Sequence, residues 1–154
     1  MKTRTIVLTL LLGFVGATVC FAADVFIGTW KLNEAKSKIA AGSLKNTTVV
    51  YEAAGDSVKV TTDGTDGEGK PSHSEWTGKF DGKDYPVTGD PSTDTRSYKT
   101  VNDHTLAFTN KKGDKLTISG RGVVSADGKT RTVTITGTDS KGKKYTSTAV
   151  YDKQ

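Results

Sequence analysis

Apolar and polar residues alternate in short runs from residue 26 to the C terminus, and glycine, aspartate and asparagine fall between the runs. A period of two places successive side chains on opposite faces of a β-strand, so each run is predicted to be a strand with one apolar face. The predicted strands cover residues 26–32, 46–53, 57–62, 73–80, 95–101, 104–110, 115–124, 130–139 and 144–152, with residues 85–87 as a candidate tenth strand.

The connections between these runs are mostly short turns, which favour antiparallel pairing of strands that are neighbours in the sequence. We therefore predict an all-β fold, an antiparallel up-and-down meander barrel of about eight to ten strands, because closure removes the exposed edges of a sheet. A β-sandwich is the alternative, since closure does not show in a sequence. Residues 33–44 lack the alternation and are predicted to form a connector with, at most, one short helix over residues 34–39.

The first run, Phe26-Ile27-Gly28-Thr29-Trp30-Lys31-Leu32, has a tryptophan two residues after a glycine, on the face that we expect to point inward. A glycine permits close approach and an indole buries a large area, so Trp30 is suited to plug one end of a barrel. The alternative is that Trp30 is an ordinary aromatic residue of the core.

This opening run and the closing Ala149-Val150-Tyr151-Asp152-Lys153 resemble the two ends of the calycin superfamily. Lipocalins share the glycine-x-tryptophan opening, and intracellular fatty-acid-binding proteins share the opening and the closing strand. The chain is also similar to small secreted bacterial lipocalin-like proteins. The resemblance implies a ligand-binding barrel. Two features depart from fatty-acid-binding proteins: Ala149 stands where they have an arginine that holds the ligand carboxylate, and residues 33–44 are too few for their helical pair.

Residues 1–22 have the three parts of a secretion signal, namely basic residues, an apolar run and small residues before a cleavage site after Ala22. The apolar run is too short to remain as a stable membrane span. We expect residues 23–154 to form a single lipocalin-like β-barrel domain, secreted to the periplasm or the medium. The only cysteine, Cys20, leaves with the leader, so the mature chain has no thiolate and no disulfide.

The charge of the chain is mildly basic, with a formal net charge of +5, and its lysines are spread over the turns. This spread is not typical of a nucleic-acid-binding surface, so no nucleic-acid partner is expected. His73 and Glu75 are the best acid–base pair available, and His104 stands apart. Neither histidine lies in a recognisable nucleophile context, so the chain is not expected to be an enzyme. No cofactor or metal is predicted, because the acidic loop at residues 63–68 lacks EF-hand spacing.

The candidate ligand site consists of aromatic and basic residues on strands. Arg96 and Tyr98 share a face: pointing inward they can bind an anionic head group, and pointing outward they form a solvated stripe. Arg131 shares a face with apolar residues and is expected at the barrel mouth or, as the resemblance to lipocalins implies, stacked over Trp30. The candidate ligand-binding residues are Trp30, Trp76, Phe80, Arg96, Tyr98, Phe108, Arg131 and Tyr151.

Two functions from different classes remain open at this point. The first is a secreted lipocalin-like protein that binds a small hydrophobic or amphipathic molecule inside its barrel, with one or two arginines setting the orientation of the ligand. The second is a non-enzymatic envelope or interaction module, for example an inhibitor, whose barrel is filled by its own side chains. A cavity inside the barrel distinguishes the two.

Overall fold

The computed structural model describes residues 24–139 and 141–154, so the leader predicted over residues 1–22 lies outside the described residues. Nearly all of the regular secondary structure in the described residues is β-strand. The strands are β1 (Gly28–Leu32), β2 (Lys45–Ala54), β3 (Ser57–Thr65), β4 (Pro71–Gly78), β5 (Tyr85–Thr88), β6 (Thr95–Asn102), β7 (Thr105–Lys112), β8 (Lys115–Val124), β9 (Thr130–Thr138) and β10 (Lys144–Lys153).

Each strand pairs antiparallel with the next strand along the chain, and β1 also pairs with β10, so the sheet is a closed barrel. The closing register places Trp30 opposite Lys153 and Leu32 opposite Tyr151. The predicted up-and-down barrel of about eight to ten strands is therefore confirmed, with ten strands, and the β-sandwich alternative is wrong. In the part of the chain that the structure describes, no helix is long and apolar enough to cross a membrane.

The connector after β1 differs from its prediction. In place of a helix over residues 34–39, the structure has one turn of 3-10 helix at Glu34–Lys36, capped by the side chain of Asn33. Lys38 then forms an isolated β-bridge with Thr148 of β10, through backbone hydrogen bonds of 2.7 and 2.9 Å. Pairing with β10 therefore outweighs a weak local helical preference, because a single short helix has little stability of its own.

The interior of the barrel has two parts of different chemistry. The aromatic half is the cluster of Phe26, Trp30, Tyr51, Trp76, Phe80 and Tyr98. The polar half includes the buried polar residues Thr62, Ser74, Arg96, Asn110, Arg131 and Ser147. Period-two alternation along the strands produces both, because it turns every second residue inward whatever its polarity.

Several pairs of rings in the aromatic half contact one another edge to face. Tyr98 lies 4.8 Å from Trp76, between ring centroids, at an interplanar angle of 72°, and Phe26 lies 6.4 Å from Phe80 at 84°. Gly78 on β4 allows this packing, because a Cβ there would lie 2.5 Å from the ring of Tyr85, which itself packs on Trp76. These geometries are the favoured ones for aromatic pairs, so this half is tightly filled.

Candidate ligand-binding cavity

Trp30 is completely buried where β1 pairs with both β2 and β10. Its indole Nε1 donates a 2.8 Å hydrogen bond to the carbonyl oxygen of Phe26. The ammonium of Lys153 lies 5.1 Å from the centre of the indole ring, a cation–π distance. Gly28 leaves room for the lysine stem, because a Cβ at this position would lie 2.9 Å from Lys153 Cε. Trp30 thus belongs to the aromatic core, and Lys153 occupies the place over its ring that one of the two alternatives gave to Arg131.

A cavity of about 60 Å³ lies inside the barrel, beside the aromatic half. Five of the eight residues predicted as ligand contacts line it, namely Arg96, Tyr98, Phe108, Arg131 and Tyr151. The other three, Trp30, Trp76 and Phe80, pack within the aromatic half instead. The structure therefore separates the predicted set into a cavity wall and a packed core.

Arg131 of β9 is buried, with 5% of its surface exposed, and its side chain lines the cavity. Its guanidinium carbon lies 4.9 Å from the centre of the Tyr51 ring and 5.4 Å from that of Tyr151. Among the described residues, no acceptor lies within hydrogen-bonding distance of its Nε and Nη1 atoms. Such orphaned donors are rare in a folded protein, where nearly all buried polar atoms have a partner.

Arg96 of β6 is also buried and lines the same cavity, as does Tyr98, so the outward-facing alternative for this pair is wrong. The Nε of Arg96 donates a 2.8 Å hydrogen bond to the side-chain oxygen of Asn110, the residue opposite it on β7. Its carbonyl oxygen accepts a 2.8 Å hydrogen bond from the indole of Trp76. Arg96 is therefore held in place by both halves of the interior.

Negative charge is missing from this interior. No aspartate or glutamate is among the buried side chains of residues 24–139 and 141–154. Within the same residues, the ion pairs are formed by lysines and His73 with carboxylates at the surface, and no arginine takes part in one. The cavity therefore has a positive potential that its protein walls do not neutralise.

The tyrosines beside Arg131 do not supply the missing charge. Burial raises the pKa of Tyr151 to about 12, and the nearby Arg131 offsets only part of this effect. Burial likewise raises the pKa of Tyr51. Both hydroxyls therefore stay protonated at neutral pH, and that of Tyr151 donates a 3.1 Å hydrogen bond to the carbonyl oxygen of Asn46.

The connector between β1 and β2 covers the cavity. Ile39 and Leu44 from this segment are part of the cavity wall. The backbone N–H of Ala40 donates a 2.9 Å hydrogen bond to Ser147 Oγ, and Ser43 Oγ lies 3.0 Å from the same atom. Residues 40–43 of the connector are thus fastened across the cavity by hydrogen bonds to one serine.

Several cavity residues were not among the predicted contacts, including Asn110 and Ser147. The signal for both was present, because Asn110 continues the inward alternation of Leu106 and Phe108, and Ser147 that of Tyr151. The two connector residues, Ile39 and Leu44, could not be found in this way, since the connector has no regular period.

The histidines lie away from the cavity. His73 Nδ1 is 2.7 Å from the carboxylate of Asp63 on the neighbouring strand, and Glu75 pairs with Lys59 at 2.7 Å. The best acid–base pair that the sequence offered, His73 and Glu75, is therefore divided between two separate surface ion pairs. In the described residues, no group of three His, Cys, Asp or Glu side chains is arranged to hold a metal ion.

Comparisons with known proteins identify the fold alone. No protein-family model matches the chain, and no curated protein matches it. The structure is similar to that of EF1p2_mFAP2b bound to DFHBI, with a TM-score of 0.51, 12% identity and coverage of 86% of this chain and 97% of that chain. A redesigned β-barrel, mFAP1, bound to DFHBI, is more distant, with a TM-score of 0.45, 16% identity and coverage of 86% and 98%. The first similarity agrees with the closed antiparallel barrel described above.

Proposed function

We propose that this protein is a secreted, non-enzymatic binding protein that holds a small amphipathic molecule inside its barrel. The observation that carries the proposal is a cavity with walls of two kinds, apolar side chains such as Val133 and Ile135 and the guanidinium groups of Arg96 and Arg131. Such a mixture of apolar surface and a few orienting polar groups is typical of ligand sites. Secretion is proposed from the leader pattern of residues 1–22.

The volume of the cavity limits the ligand. About 60 Å³ is room for roughly four to six water molecules, and so for a molecule of only a few heavy atoms. A longer ligand would have to displace the connector, whose Ile39 and Leu44 form part of the wall. Residues 39–44, which follow the bridge at Lys38, have no regular secondary structure and are bonded to β10 through Ser147, so they are the part of the wall that can move at the lowest cost.

The similar barrel supports the proposal in a limited way. EF1p2_mFAP2b, which has a similar fold, was solved bound to DFHBI, so a barrel of this kind is compatible with ligand binding. The competing function, an interaction module with a filled barrel, is favoured by the dense aromatic half. The cavity beside that half favours the binding protein.

Native mass spectrometry of the protein, expressed with its own leader and purified without detergent, tests the proposal. We expect a reproducible small-molecule adduct, or, after solvent extraction, a change in tryptophan fluorescence on titration with short alkyl alcohols and acids. The variant Ala149→Leu adds three carbons to the cavity wall and should abolish either signal, because Ala149 lines the cavity.

The matched control is Ala107→Leu. Ala107 lies between the inward Leu106 and Phe108, and is paired with the exposed Lys99 and Arg121, so the same three carbons are added to the outer face. This variant should bind as the wild type does. A clean apo mass, together with no fluorescence response in wild type, would overturn the proposal in favour of the interaction module.

A further inference from the structure

Two arginines, Arg96 and Arg131, are buried inside the barrel, and no buried carboxylate of the described residues neutralises their charge. Arg131 has no protein acceptor for Nε and Nη1, and Arg96 is paired with the neutral amide of Asn110. A guanidinium keeps its charge in any protein environment, so burial cannot neutralise it as it can a lysine or a carboxylate. Burial of such a charge is costly unless a counter-charge accompanies it.

The contacts recorded for Arg131 are with aromatic rings. Its guanidinium carbon lies over the rings of Tyr51 and Tyr151, which give cation–π attraction but no hydrogen-bond acceptor in their faces. The N–H groups of a guanidinium match two oxygens of a carboxylate or phosphate. The two tyrosine rings therefore leave Nε and Nη1 without an acceptor.

We propose that the cavity binds its ligand through an oxyanion head group, which Arg131 holds from the wall it shares with Arg96. The inference rests on the proposed function, since it names the ligand class of the same cavity. The head group is a carboxylate or a phosphate, because both present paired oxygens to a guanidinium. The remainder of the ligand is short and apolar, and contacts Val49, Val133 and Ile135.

The position of Arg131 follows from the pairing of β9 with β10. The closing strand has Ala149 two residues before Tyr151, so it provides no guanidinium there. Arg131 is instead directly opposite Tyr151 on the neighbouring strand β9, and Ala149 leaves space in the cavity wall. The guanidinium that contacts Tyr151 therefore comes from β9 and not from the closing strand β10.

The test compares three probes with the same chain, namely butanoate, butyl phosphate and 1-butanol, by backbone amide NMR titration of the wild-type protein. We expect at least one of the two anions to bind at least tenfold more tightly than the alcohol, with shifts at residues of the cavity wall. The stronger anion identifies the head group as carboxylate or phosphate.

The variants Arg131→Met and Arg121→Met remove the same charge from inside and outside the barrel. Arg121 is exposed on β8. Arg131→Met should reduce affinity for the anion at least tenfold, leave that for 1-butanol unchanged, and not lower the Tm of the ligand-free protein, because it removes an uncompensated buried charge. Arg121→Met should bind as wild type does, and Arg131→Lys should retain part of the anion affinity.

The outcomes separate the two proposals. If the alcohol binds as tightly as the anions, the head-group inference is wrong while the binding function stands. If no probe binds and the purified protein carries no adduct, both are wrong. If Arg131→Met fails to fold, the wild-type comparison and Arg131→Lys still decide the matter. Unchanged anion affinity in a folded Arg131→Met variant would overturn the inference directly.

Discussion

Trp76 and Arg131 are both almost completely buried, yet their surroundings differ. Trp76 packs on three aromatic rings and donates its indole N–H to the carbonyl of Arg96. Arg131 lies on two aromatic rings but has donors without an acceptor, and it borders a cavity. The polar group of Trp76 thus has a hydrogen-bond partner, whereas two donors of Arg131 have none.

The difference suggests a division of labour between the aromatic half and the polar half. Dense aromatic packing lowers the free energy of the folded chain, and a chain with one cysteine has no intramolecular disulfide to do so. Buried guanidiniums and a cavity contribute little to stability or oppose it. Buried charges without partners and cavities of this kind are most often retained at functional sites.

The largest effect is expected from Trp76→Ala in the aromatic half. The change removes a fully buried indole, its contacts with Phe80, Tyr85 and Tyr98, and the hydrogen bond to Arg96. We expect the free energy of unfolding to fall by about 3–5 kcal/mol, measured by urea denaturation with circular dichroism. The neighbouring Glu75→Ala, which removes one surface ion pair with Lys59, should lower the free energy of unfolding far less, because exposed ion pairs contribute little to stability. Equal losses would contradict the role given to the aromatic half.

A smaller effect is expected where the two halves meet, at Tyr151. Its pKa is about 12 in the folded chain, because of burial, and about 10 in an unfolded chain. Between these values the unfolded chain releases the proton and the folded chain keeps it, so stability is full below pH 10 and falls as the pH rises toward 12. This difference in pKa between the folded and the unfolded chain corresponds to a loss of about 3 kcal/mol in the free energy of unfolding.

Urea denaturation of wild type and Tyr151→Phe from pH 9 to pH 12 measures this pH-dependent contribution of Tyr151 to stability. The variant loses the hydrogen bond to Asn46 at every pH, but its stability should decline less steeply above pH 10. Lysines titrate in the same range in both proteins, so their contribution cancels in the difference. Identical slopes would show that the Tyr151 hydroxyl is accessible to solvent, and the boundary drawn between the halves would be wrong.

The strands were predictable because alternation is a local property of the chain. β8 was predicted with the bounds that it has, and the candidate tenth strand is β5. Contacts set by closure of the barrel were not predictable. Lys153 reaches Trp30 only because β1 pairs with β10, and the bridge between Lys38 and Thr148 ends the short helix early.

The candidate site was predictable only in part, for the same reason. Alternation placed Arg131 on an inward face, but its height inside the barrel depends on strand register and tilt, which a sequence does not show. The structure places it on Tyr51 and Tyr151 and not on Trp30. Its lack of an acceptor depends on every neighbour at once, so no local pattern could have indicated it.

The smallest effect is expected from Ser147→Ala in the polar half. The change removes the acceptor of the Ala40 N–H and the contact with Ser43, which fasten the connector over the cavity. We expect a loss of about 1 kcal/mol in global stability and faster amide hydrogen exchange over residues 38–43. Thr146→Ala, on the outer face of the same strand, should change neither quantity. Because the polar half is assigned to binding, a global loss as large as that of Trp76→Ala would mean that the connector holds the fold together, and the division between the halves would fail.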